Sequence, residues 1–370
     1  EDGSEEHRTY INEDEAGHGV INVKGGNAPT EDVLPSTDNS DNGTEETTPT
    51  DTTTDSSGNN AENSPTAETT TGNTITVKED VKDATIVVEG VNVDTSTQTE
   101  VPVDAKEYKT IIKVGEGADV DLTVKDSNLT TGGNGIDIGV NLKDDDDNKE
   151  TNVDLTLDNT KINLTENATA GINARDNSDV DITLKGDNTI DGSEAIDKVT
   201  EGGGHDISKD NVNIEGIRVG GEGASDSSDA SEGANTKLTI SGGVEKTETA
   251  EADTEETESP AGGSLTISKT TGGLVMAAGS DVEITDGADV TIEDTKTSSS
   301  TQAGRAVTQH GDLTLSGGSS LTIDGVKDNK APHTGIGIAS WDDITVEDGS
   351  TLDILSLIHI SEPTRLALIS

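Results

Sequence analysis

Apolar and polar residues alternate along this chain in bursts of three to five, and the bursts recur in a fixed order. Residues 311–354 carry one full cycle and the start of the next. Asp312-Leu313-Thr314-Leu315 alternates with period two, as a short strand with one buried face does. Ser316-Gly317-Gly318 turns the chain, and Leu321-Thr322-Ile323 repeats the alternation. Gly335-Ile336-Gly337-Ile338 supplies a third burst before Asp343-Ile344-Thr345-Val346 restarts the cycle. Three short strands per turn, each turn ending where the next begins, predict a parallel β-helix.

The cycle recurs upstream. Strands of the VDLTV type stand at 120–124, 153–157 and 180–184, and return as LTI or VEI at 238–240, 265–267 and 282–284. A following strand comes at near-constant spacing: Leu122 to Leu129 and Leu155 to Ile162 are seven residues apart, whereas Ile182 to Ile190, Val282 to Val290, Leu313 to Leu321 and Ile344 to Leu352 are eight. The GIxI type appears at 135–139, 171–175, 216–220, 273–277, 304–308 and 335–339. Stacking these cycles predicts one interior column through Leu122, Leu155, Ile182, Leu313 and Ile344. It also predicts an outward column of Thr123, Thr156, Thr183, Thr239, Thr266, Thr314 and Thr345, broken by Glu283. Hydroxyls repeating at about 4.8 Å would make a flat ladder for a sugar or ordered water. Threonine also simply suits an exposed strand position.

The boundaries follow from the same pattern. Residues 1–72 are acidic and rich in Thr, Ser, Asn, Gly and Pro, with too little apolar surface to order themselves, and read as a disordered linker. Residues 73–119 are expected to form irregular early rungs or a cap, which an open terminal rung requires. The regular repeats span 120–354, with loops leaving at 143–149, 220–235 and 242–262. Residues 355–370, LSLIHISEPTRLALIS, abandon the pattern and resemble a translated sequencing adapter rather than native chain. With no starting Met and no signal peptide, Glu1 is expected to be internal to a longer protein.

Composition narrows the class. Only 28% of the 370 residues are hydrophobic and 1% aromatic, with no Phe. That is too little for a compact globular core of this length. A β-helix escapes the requirement because its narrow interior is filled by Val, Ile, Leu and Ala. The 42 glycines suit tight corners. A net charge of −51 excludes nucleic acid and anionic lipid as partners and favours cations, calcium above all. The absence of Cys fits a bacterial outer surface as well as a cytosol. With Lys far outnumbering Arg, an extracellular location accounts for the acidity better than a salt-loving cytoplasm. No apolar run approaches the roughly 20 residues needed to span a bilayer.

Candidate chemistry is sparse. Asp281, Asp312, Asp342 and Asp343 stand at strand starts, where stacked carboxylates would repel one another unless a cation such as calcium intervened. Solvated acidic turns are the alternative. GGNGIDIGV at 132–140 approaches a calcium-binding nonapeptide, but it occurs once and departs at Gly139, so a GIxI strand is the better account. Arg175 beside Asp176 is a single basic–acidic step at the end of GINAR, for which solvated turn charges are the alternative. No histidine recurs at a useful spacing from a nucleophile, and no catalytic residue is assigned. Trp341, the only Trp, follows GIGIAS at a corner, placed either to stack a pyranose or to cover the core rim.

The repeat form GDLTLSGGSSLTIDG…GIGIASWDDITVEDGSTLDI resembles secreted bacterial right-handed parallel β-helix proteins of the pectate-lyase-like, carbohydrate-binding or adhesin-like kind. The resemblance covers residues 120–354 and rests on the repeat alone, so no binding residue transfers. It implies an all-β solenoid on a bacterial cell surface and a polysaccharide or host-glycan partner, with calcium where the sugar is acidic. The leading expectation is a non-enzymatic adhesin or carbohydrate-binding fragment of a larger secreted protein. A calcium-dependent polysaccharide lyase and a purely structural stalk are the alternatives.

Overall fold

The computed structural model describes residues 8–11, 20–24, 70–71, 74–97, 109–142, 149–165, 168–195, 214–221, 235–243, 262–296, 305–326 and 335–355. They build a parallel β-helix of nine coils, each contributing one strand to each of three nine-stranded sheets. Sheet 1 holds the GIxI strands, among them Asn134–Val140, Ala170–Ala174, Glu215–Val219, Arg305–Gln309 and Ile336–Ser340. Sheet 2 holds the VDLTV strands, such as Asp119–Lys125, Thr151–Asp158 and Ser178–Lys185. Sheet 3 holds the followers, such as Lys161–Leu164, Asp187–Asp191 and Ser264–Ser268. Every pairing is parallel and joins one coil to the next, so the stack is about 40 Å long at 4.8 Å per coil.

The early segment is more regular than its sequence suggests. Thr74–Val77, Ala84–Glu89, Asn92–Asp94 and Ile112–Gly115 are full members of the three sheets. Within the stretch expected as linker, Arg8–Ile11, Val20–Lys24 and Thr70–Thr71 form the first coil. VINVK carries the same period-two alternation as later strands, and Ile21 and Val23 pack against the core. The rest of the expected linker, most of the expected loops and the expected non-native tail beyond Leu355 lie outside the described residues, and Leu355 itself ends a sheet 3 strand.

Sheet 2 is buried on one side only: Ser178–Lys185 alternates buried with half-buried or exposed positions. Its inner column runs unbroken from Ile21 through Ile86, Leu122, Leu155, Ile182, Ile240, Ile284 and Leu315 to Val346. Leu313 and Ile344 belong to the neighbouring inner column, beside Val282 rather than in line with Leu122. At the corner between sheets 2 and 3, Gly90, Asp126, Asn159 and Gly186 take left-handed φ values of 65°, 47°, 51° and 61°. Gly, Asn and Asp tolerate that region, which accounts for their abundance at the turns.

Sheet 1 differs. Its register passes over Gly135, Gly171, Gly216 and Gly273, and at each the interior is occupied by a sheet 3 isoleucine. An added Cβ at Gly135 would stand 2.7 Å from Ile162 Cγ2, and one at Gly171 2.5 Å from Ile190 Cγ2. The recurrent glycine is the socket into which sheet 3 packs. Several outward positions of sheet 1 in its middle coils are buried as well, and most of these are polar: Asn134, Asp137, Asn173, Glu215 and Arg218.

Candidate functional site

Arginines recur on and beside the sheet 1 strands. There are only five, at 8, 175, 218, 305 and 365. Arg8, Arg218 and Arg305 lie on sheet 1 strands, and Arg175 directly follows one. Asp137, 1% exposed, sits beside Asn173, which in turn sits beside Arg218. Arg175 donates to both Asp137 oxygens at 2.9 Å, a bidentate pair. Asn173 Nδ2 and Asn134 Nδ2 donate to the same carboxylate at 2.8 and 2.9 Å. Arg218 Nε donates to Glu215 Oε2 at 2.6 Å. Arg175 is thus tied to a carboxylate one coil back. The aspartate of GGNGIDIGV spends both oxygens on these donors.

The third arginine of this face stands differently. Gln309 pairs with Ser340, so His310 and Trp341, each one residue further on, stack coil over coil. Their rings lie 4.1 Å apart at an interplanar angle of 11°. The Arg305 guanidinium carbon is 5.5 Å from the Trp341 ring centroid, within cation–π range, and Arg305 Nε is buried with no hydrogen-bond partner. Trp341 is 56% exposed, so it does not close the core rim. Burial and the nearby Arg305 charge hold the His310 pKa below 6.5, against an opposing pull from Asp342, so the imidazole is neutral at pH 7. An indole face, a neutral imidazole and a guanidinium thus meet at one corner of a polyanionic chain.

The predicted threonine ladder does not form. Thr123, Thr156 and Thr183 do align, but the next residue in their column is Ser241. Thr239, Glu283, Thr314 and Thr345 instead continue the column of Asp121, Asp154 and Asp181. Thr266 belongs to sheet 3, in line with Thr189, Thr291 and Thr322. That sheet 3 set is the longest run of aligned threonines among the described residues.

The candidate metal residues are placed as follows. Continuing the register of sheet 2 back one residue sets Asp281, Asp312 and Asp343 side by side, all exposed, with Lys237 next to Asp281. Asp281 Oδ1 accepts the Asp312 N–H at 3.3 Å, and Asp342 lies in the adjoining corner. Among the described residues, no group of three or more His, Cys, Asp or Glu side chains converges on a point where an ion would sit.

The outward column of Asp121, Asp154 and Asp181 has a measurable consequence. Desolvation raises the Asp154 pKa above 3.8, and the carboxylates of Asp121, Asp181 and Asp119 raise it further. The folded chain holds this proton more tightly than the unfolded one, so stability falls as pH rises past 3.8 and through the elevated folded value. Asp154 is an exposed strand position, so solvent screens the penalty. Asp154→Asn is expected to raise the Tm at pH 7, with the gain vanishing below pH 3.8, where both states are protonated. Equal melting curves at pH 7 would remove the repulsion from the account.

Comparison with protein-family models, curated proteins and solved structures returns no match. Among the described residues, no helix is long and apolar enough to cross a membrane.

Proposed function

We propose that this chain is a non-enzymatic, adhesin-like surface protein of a bacterium that binds carbohydrate, with the Arg305–His310–Trp341 corner as its sugar-contacting site. The observation that carries the reading is an exposed Trp341 braced by His310, with Arg305 beside the ring. A braced indole presents an apolar face to the C–H face of a pyranose at little entropic cost, since its ring is already held. Arg305 supplies a planar donor for a sugar carboxylate. Arg305 gives a uronate carboxylate a local partner beside the only Trp, and this local contact has to outweigh the long-range repulsion from a net charge of −51. This reading rests on the Trp341, His310 and Arg305 geometry and does not depend on calcium.

The test is titration of the chain with a polyuronate and with a neutral glucan, with and without chelator. Trp341→Ala is expected to weaken polyuronate binding by about tenfold or more, equivalent to about 1.4 kcal/mol. Arg305→Gln is expected to erase the preference for the charged polymer. Binding that survives both changes would place the sugar elsewhere, and release of unsaturated products would make the chain a lyase instead. No glycan binding under any condition would leave a structural stalk.

A further inference from the structure

Along the outer face of sheet 1 the side chains change character after the sixth coil. One outward column runs Asp137, Asn173, Arg218, Val275, Thr308 and Ala339, from the fourth coil to the ninth. Its first three members are polar and at most 5% exposed, whereas the last three are short, uncharged and only half-buried. The adjoining column shortens in the same place, for Gly220 and Ala277 follow Arg175 and precede His310 and Trp341. On the other side Gly272 separates Glu215 from Arg305 and carries no side chain. Sheet 1 therefore bears a shallow trough floored by Val275, Ala277 and Thr308. Arg218 stands at one end, Trp341 at the other and Arg305 at the side. Three steps of 4.8 Å make it about 14 Å long.

Polar groups at both ends lack partners within the chain. Asn173 Oδ1 is buried with no hydrogen bond, and its orientation is fixed because Nδ2 serves the Asp137 carboxylate. Arg218, one coil on, donates from Nε to Glu215 Oε2. Its remaining N–H groups find no acceptor among the described residues. Arg305 Nε is buried and unpartnered as well. Shielded groups of this kind cost stability unless something from outside meets them.

We propose that the trough binds an acidic oligosaccharide lengthwise, an inference that rests on the sugar reading of the Trp341 corner. At the coil-six end, donors of Arg218 stand beside the acceptor Asn173 Oδ1, a pairing that a sugar hydroxyl satisfies in both directions. Glu215 already offsets the Arg218 charge, so this end suits a neutral group. Arg305 takes a carboxylate instead. Between them Val275 and Ala277 offer aliphatic contact and no bulk, so successive sugars lie flat on the sheet. A single sugar on Trp341 does not reach Arg218, so the site recognises chain length.

Titration of the full chain with a uronate monomer, and with oligomers of increasing length cut from the same polyuronate, tests this. Wild type is expected to bind the longer oligomers about tenfold or more tighter than the monomer, the gain levelling off once an oligomer spans the sixth to ninth coils. Val275→Glu places a carboxylate on the floor and is expected to bring oligomer affinity down to that of the monomer, with monomer affinity unchanged. Val275→Ser, which keeps the floor short and uncharged, is expected to retain the gain. Thermal melts check that both variants keep the wild-type fold. Wild-type affinity that does not rise with length, or a gain that survives Val275→Glu, would overturn the trough and leave the Trp341 corner standing. Monomer binding unaffected by Trp341→Ala would overturn the corner, and absence of binding by monomer and oligomers alike would overturn both.

Discussion

Replacing Arg175 with leucine is expected to destabilise the solenoid by about 3–5 kcal/mol, the usual consequence of stripping the partner from a buried ion pair. Asp137 lies on the outer face of sheet 1 yet is almost wholly shielded from water. Arg175 supplies two of the four hydrogen bonds its carboxylate receives, the others coming from Asn134 and Asn173. Without the guanidinium those two amides face a buried charge they cannot neutralise. Urea unfolding of Arg175→Leu against wild type gives the magnitude. A double variant, Arg175→Leu with Asp137→Leu, is expected to recover most of it, because the lone charge is then gone as well. Since each coil contacts only its neighbours, the loss should appear first as weakened coupling between the fourth and fifth coils. Hydrogen exchange would register it on strands Asn134–Val140 and Ala170–Ala174. A cost below about 1 kcal/mol would mean that the pair behaves as a solvent-exposed one.

The β-helix was legible in the sequence because alternation and spacing are conditions a stack of coils must meet. Its lateral register was not, and the reason is geometric. Sliding a strand by two residues leaves every inward residue inward and every outward residue outward. LTI at 238–240 therefore matches VDL as well as LTV in the earlier coils. Matching by residue type set Thr239 beside Thr183, whereas it lies beside Asp181. Thr266 was misplaced for another reason: residues 244–261 intervene between strand Thr236–Gly242 of sheet 2 and strand Ser264–Ser268 of sheet 3, so one coil looks like two. Arg175 and Asp176 are adjacent in sequence, but the carboxylate that Arg175 pairs with is 38 residues away. Stacking GIDIG on GINAR would have exposed that pair. The bracing of Trp341 by His310 was equally hidden, since it requires the register of Gln309 with Ser340.

Gly171→Ala is the second change expected to act strongly, at about 1–3 kcal/mol, and it probes the core from the inside. The new methyl would lie 2.5 Å from Ile190 Cγ2, 3.1 Å from Ile190 Cδ1 and 2.8 Å from the Gly216 carbonyl oxygen. Ile190 is fully buried in a close-packed interior, and a backbone oxygen in a sheet ladder yields even less. The eighth coil bounds the size of the effect, for Ala306 stands there where other coils have glycine, and it is buried in a folded sheet. A single methyl should therefore be costly but tolerated, whereas valine should cost more. The contact can be isolated by a double-mutant cycle. Ile190→Ala alone is expected to cost about 2–5 kcal/mol through the cavity it leaves. In that background Gly171→Ala should cost less than in wild type, with a favourable coupling of roughly 0.5–3 kcal/mol, because the methyl then enters space the isoleucine has vacated. Additive costs would mean that the Gly216 carbonyl alone resists the methyl. A cost near zero for the single change would show that the glycine column does not act as a socket for sheet 3.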